Sequence, residues 1–148
     1  MGYDAAKKVK GRKRHAVVDT LGLMLGGAVL PGNGQDRDGC LGVLKAVRRL
    51  FPFLERVTAD GACQGKDTAR AVRRAARATL EIVKRSDAAK GFVVLPKRWI
   101  VERTFGWLGR CRRLAKDFEA LTRTHLAFVQ CAMVRLMLRR IARASQTS

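Results

Sequence analysis

Apolar positions along this chain fall in short runs and in helical repeats. From His15 to Leu30 short apolar runs lie on either side of a break at Asp19–Gly22, which predicts two strands joined by a turn. In the first of these strands Arg14, Ala16 and Val18 share one face, and Lys13, His15 and Val17 the other. Breakers fill Pro31-Gly-Asn-Gly, after which Leu41, Leu44, Val47 and Phe51 repeat at helical spacing, with Asp38 placed to cap the helix. Arg56–Asp60 reads as a strand stopped by Gly61. Asp67–Ala78 reads as a basic amphipathic helix and Thr79–Lys84 as another strand. Beyond a polar loop at Ser86–Lys90, Pro96 suits the first position of a helix reaching about Lys116. A final helix, about Leu121 to Arg143, is apolar almost all round between Leu126 and Leu138, so it is expected to be buried or docked against a partner. The order strand, strand, helix, strand, helix, strand, helix, helix is that of one mixed α/β domain over residues 1–148. Residues 1–12 are expected to form a flexible basic lead-in and 145–148 a flexible tail.

The stretch Leu95–Lys116 draws the most attention. On a helix Ile100, Val101, Thr104, Trp107, Leu108, Cys111 and Leu114 fall on one arc that would face a core. The opposite side carries Arg98, Glu102, Gly106, Gly109, Arg113 and Lys116. Glu102 is the only acid in the stretch, and two glycines share its face although each costs roughly 1 kcal/mol in a helix against alanine. Two readings stand side by side here: a surface pair with Arg98, four residues away and worth about 0.3–0.5 kcal/mol, or a metal ligand beside a polyanion.

Charge changes the picture. The chain has 31 Lys plus Arg against 12 Asp plus Glu, a formal net charge of +19, and such an excess attracts polyanions, nucleic acid first among them. The basic residues are spread through folded segments and not gathered beside an anchor, and Leu126–Leu138 is too short for a membrane span. A soluble, cytoplasmic, nucleoid-associated protein without membrane partners is expected. Cys40, Cys63, Cys111 and Cys131 form no Cys-x-x-Cys pair and read as small buried hydrophobes, not as a zinc site or disulfide framework. His15 reads as a strand residue and His125 as a packing or capping residue. Trp99 is placed either to stack on a base or to frame the edge of the core.

Asp60, at the end of a strand before a glycine loop, projects where α/β sheets place their ligands, although such an acid is also a common turn former. Asp60 and Glu102 together would make half of a magnesium site on a basic surface. Phosphodiester cleavage or transfer is the chemistry that uses such a surface, with carboxylate oxygens for the hard cation and Arg and Lys for the phosphates.

Several motifs, in order, carry a resemblance: Gly2-Tyr-Asp with Lys7-Lys-Val-Lys-Gly-Arg-Lys-Arg-His15, Val18-Asp-Thr-Leu-Gly-Leu23, Gln35-Asp-Arg-Asp38, Ala59-Asp-Gly61 with Gln64-Gly65, and Val101-Glu-Arg-Thr-Phe105 followed by Trp107-Leu and Arg112-Arg-Leu114. The chain resembles the bacterial insertion-sequence transposases of the DDE type. That resemblance implies a ribonuclease H-like α/β fold, a mixed sheet with flanking helices plus a long C-terminal helix. It implies Asp60 and Glu102 as the second and third catalytic acids, holding Mg2+ or Mn2+, and hydrolysis and strand transfer on double-stranded DNA. Arg98 matches the arginine of the family's glutamate-region signature. The signature's tyrosine would fall near Leu95 and its lysine near Gly109, with Arg110 the nearest cation. The residues expected to hold DNA are Arg12, Lys13 and Arg14 together with Arg98, Arg110, Arg113 and Lys116.

The family's first aspartate lies on a strand upstream of the Gly-Tyr-Asp segment. Asp4 and Asp19 are poor substitutes for it, so a truncated copy lacking that strand is expected. Its alternative role is a non-catalytic DNA-binding or inhibitory fragment that pairs with intact transposase or with itself.

Overall fold

The computed structural model describes residues 2–4, 8–34, 36–83 and 97–146. Strands β2 (Val9–Val18) and β3 (Met24–Pro31) form the expected antiparallel hairpin, with an irregularity between Val17 and Val18. Asp19 makes the turn: its Oδ1 accepts the backbone N–H groups of Leu21 at 2.9 Å and Leu23 at 2.8 Å, and Gly22 follows with φ +78°, where only glycine is unstrained.

The lead-in departs from expectation. It is strand from Val9 onward, and β1 (Gly2–Asp4) pairs antiparallel with it, Gly2 opposite Gly11 and Asp4 opposite Val9. The close approach of three backbones explains this, since a Cβ on Gly32 would lie 2.7 Å from the Gly2 oxygen and 2.9 Å from that of Gly11. Nothing in a local alternation pattern announces such a contact.

Helix α1 (Asp36–Leu50) begins before Asp38, which therefore lies inside its first turn instead of capping it. Strand β4 (Arg56–Ala59), a 3-10 turn at Gly61–Cys63, helix α2 (Lys66–Ala76) and strand β5 (Thr79–Ile82) follow. Helix α2 stops short of Ala78 because Arg77 takes a left-handed φ of 51°, and its N–H closes on the Arg73 carbonyl. The strands β4 and β5 pair in parallel. Among the described residues the expected mixed sheet is thus divided into an antiparallel set β1-β2-β3 and a parallel pair β4-β5. Both rest on one helical layer: Leu44 of α1 and Val72 and Ala76 of α2 pack with Val17 from β2, Val57 from β4 and Leu80 from β5.

The other face of the hairpin is covered by helix α3 (Arg98–Gly109), a 3-10 turn at Arg112–Leu114, and helix α4 (Thr122–Ser145). Leu108, Leu114, Val129 and Met133 form this second core, with Met24 of β3 against it. Helix α3 ends at Gly109 and does not run on to Lys116. Helix α4 buries His125, Val129 and Met133, one turn apart, and leaves Val134, Leu138 and Ile141 more than half exposed. No described helix is long and apolar enough to cross a membrane.

A polar network holds the hairpin to this outer layer. The Arg12 guanidinium, 5% exposed, pairs with Asp117 at 3.0 Å and donates to the carbonyls of Glu119 and Ala120. Arg14 Nε donates to His125 Nε2 at 2.8 Å, which leaves Nδ1 to carry the ring proton and donate to the same Asp117 oxygen at 3.0 Å. A second Arg14 nitrogen reaches the Leu114 carbonyl at 2.8 Å. Burial holds the Arg14 guanidinium below its ordinary pKa, opposed in part by the field of Asp117.

Replacing Asp117 by alanine strands buried cations and is expected to cost about 3–5 kcal/mol, whereas breaking the exposed Arg56–Glu81 pair (3.0 Å) costs no more than about 1 kcal/mol. Urea unfolding of Asp117→Ala and Glu81→Ala checks the contrast. Gly26→Ala sets a Cβ 2.5 Å from a Val47 methyl across the β3–α1 contact. Overpacking of about 1–3 kcal/mol then outweighs the roughly 0.4–1 kcal/mol gained from a stiffer unfolded chain, and a lowered urea midpoint is the expected result.

Candidate carboxylate site and basic surface

Asp60 is the first residue beyond β4 and is exposed. The Cys63 N–H closes on its carbonyl at 3.1 Å, so the 3-10 turn holds the acid at the carboxyl end of the parallel pair. Glu102 is placed by how α3 seats on the hairpin turn. The buried Thr104 hydroxyl lies 2.8 Å from the Gly22 carbonyl, and Arg103 donates to that of Leu21 at 2.9 Å. With Ile100, Thr104 and Leu108 turned inward, helical geometry sends Glu102 to the exposed side. The arc assigned to the core is buried or half-buried throughout, and Glu102, Gly106 and Gly109 are exposed.

A cavity of about 440 Å³ separates the two halves of the sheet. Val17 of β2 and Val57 and Leu80 of the parallel pair wall it, and Ala59 and Val101, each the neighbour of a candidate acid, line it as well. Among the described residues β2 pairs only with β3 from Arg12 to Val18, and β4 only with β5. No three His, Cys, Asp or Glu side chains of the described residues gather into a metal-holding set. Two carboxylates suit a hard divalent cation in kind; they fall short in number.

The expected DNA-holding cations divide into two groups. Arg12 and Arg14 do not face outward: they are the internal cations of the Asp117 network. Lys13 is half-buried and donates to the Gly34 carbonyl at 3.0 Å. Arg110 and Lys116 are exposed, and Arg113, with its side chain 57% exposed, pairs with Glu119 at 2.7 Å beside the rings of Phe118 and Phe128. The side chain of Arg98, and with it the surface-pair reading of Glu102, lies outside the described residues, as do Pro96 and the Ser86–Lys90 loop. Trp99 is 45% exposed with the Arg103 guanidinium 4.3 Å from its ring centre. Cys40, Cys63 and Cys111 are half-buried, but Cys131 is exposed, on the outer side of α4.

Sequence reading overlooked Asp117 and Glu119. A signal was present: they are the only acids after Glu102, set in a strongly basic region.

A family model described as the transposase DDE domain matches residues 1–137. No curated protein and no solved structure matches the chain. The family match spans both sheets, the two candidate acids and most of α4, and the chain belongs to the transposase DDE domain family.

Proposed function

We propose that this chain is the phosphodiester-transfer part of a DNA transposase, with Asp60 and Glu102 as metal-holding carboxylates and DNA as substrate. The observation that carries the reading is that both acids leave their elements beside one cavity, next to Ala59 and Val101 in its wall. A bound Mg2+ or Mn2+ would activate the attacking oxygen and stabilise the leaving one. Asp60 and Glu102 supply oxygen ligands for such an ion, while the exposed Arg110 and Lys116, with Arg98 by resemblance, hold phosphate.

The two acids need a third. We place it on a strand outside the described residues, seated in the gap between β2 and β4. The apolar walls and the two facing strand edges support this placement, because an inserted strand would join both sheets into one mixed sheet of ribonuclease H type. Asp19 also borders the cavity, but its carboxylate is committed to the hairpin turn. The same gap favours the second reading, a non-catalytic fragment that takes up a strand from intact transposase and inhibits it.

Purified chain is expected to bind Mn2+ weakly, in a titration followed by calorimetry, and to lose that binding in Asp60→Asn and in Glu102→Gln. It is expected to bind duplex DNA with little or no strand cleavage in Mg2+. Robust Mg2+-dependent cleavage abolished by Asp60→Ala would overturn the incomplete-site reading. Co-purification with a longer member of the family, against a monomer with no affinity for it, separates the inhibitory reading from the catalytic one.

A further inference from the structure

Helix α4 has 24 residues and not one acid, and four of its five arginines fall within its last three turns. They do not spread around the helix. Arg135, Arg139, Arg140 and Arg143 line a single cleft of about 470 Å³, and Arg110, just past the end of α3, closes it from the other side. Apolar side chains of Leu108, Met133 and Leu136 form its floor, and no acid among the described residues lines it. We infer that this cleft is a phosphate-binding site distinct from the carboxylate pair, and that it holds the backbone of the DNA on which the proposed function rests.

Two structural explanations account for part of the cluster. Cations near a helix C-terminus complement its dipole, which covers Arg143, and Arg140 is held over the Trp107 ring at 4.5 Å. Neither explains Arg135, which lies nearly three turns before the helix end, nor Arg110, which comes from another element. Arg135 and Arg139 are exposed, and neither forms an ion pair among the described residues. Like charges around one low-polarity floor repel in the empty protein, and a phosphate ligand removes that penalty. Arg135, Arg139 and Arg143 recur every four residues, which steps guanidinium groups about 6 Å apart along the axis. A column of that kind suits a repeating polyanion better than one isolated anion.

The position also fits. Helix α3 carries Glu102 in its first half, while Trp107 and Leu108 in its last turns line the arginine cleft. Trp107 and Leu108 follow Glu102 by five and six residues, which sets the two sites about 8–9 Å apart along the axis of one rigid helix, within reach of a single stretch of duplex. Sugar and base edges would lie over the apolar floor, with phosphates on the guanidinium groups.

The test is fluorescence-anisotropy binding of a 30-base-pair duplex in EDTA, which removes any dependence on Asp60, Glu102 or metal. Wild type is compared with Arg135→Gln/Arg139→Gln, with Arg135→Lys/Arg139→Lys, and with Lys45→Gln/Arg49→Gln on the exposed face of α1, which changes net charge equally. Two lost phosphate contacts should lower the slope of log affinity against log salt by about two. The α1 variant should change the slope little, and the lysine variant should restore most of the affinity. Inorganic pyrophosphate should compete with DNA for wild type more effectively than for the glutamine variant. Equal losses in the α1 and α4 glutamine variants would overturn the site. If pyrophosphate bound in calorimetry and needed Arg135 and Arg139 while duplex DNA did not bind, the phosphate chemistry would stand and DNA as its source would fall. If neither bound, the inference would fail, with the Mn2+ titration of the carboxylates unaffected.

Discussion

One carboxylate oxygen determines how this chain is layered. Asp117 Oδ1 takes Arg12 at 3.0 Å and His125 at 3.0 Å, and through His125 it also orients Arg14. Arg12 and Arg14 come from β2, Asp117 from the connection before α4, and His125 from the first turn of α4, so three segments meet at one charge. Burial makes this contact demanding, because guanidinium groups out of water are tolerable only when paired and hydrogen-bonded. The layer containing α3 and α4 can therefore sit on the hairpin in essentially one register, and that register sets the direction of Glu102.

The network also redistributes the charge. A net charge of +19 invites the view that every basic run is a DNA track. Arg12 and Arg14 occupy alternate positions on a strand and so share a face; here that face meets α4 and not solvent. With these two cations turned inward, the outward positive surface is carried by other segments, among them α2 and its C-cap, with Arg70, Arg73, Arg74 and Arg77, and the ends of α3 and α4. The two candidate acids adjoin the gap in the sheet through their neighbours Ala59 and Val101, which line it.

How much could be read in advance follows from the range of each contact. The buried and exposed sides of α3 were legible because Ile100, Val101, Thr104, Trp107 and Leu108 repeat at helical period while Glu102 and Gly106 fall on the other side. Asp60 was placed correctly at the end of a strand by Gly61 and its short apolar run. The Arg12–Asp117 pair, 105 residues apart, has no local signature, and neither does the pairing of Gly2 with Gly11. For helix α4 near-uniform hydrophobicity suggests burial or a docked partner; within the chain only one apolar stripe is covered, and Val134, Leu138 and Ile141 remain outside.

The gap between β2 and β4 connects these points. Both halves of the sheet already rest on α1 and α2, so helix packing alone holds them at a separation that strand pairing does not set. A strand seated there would gain hydrogen-bond partners on two edges and apolar walls on Val17, Val57 and Leu80 without rearrangement of the helical layer. It would pass between β2 and β4 beside Ala59, whose neighbour is Asp60, while Val101, the neighbour of Glu102, borders the same space. On the proposed reading, a carboxylate brought in on that strand would meet Asp60 and Glu102 by the same packing that completes the sheet, which would couple folding of the core to assembly of the site.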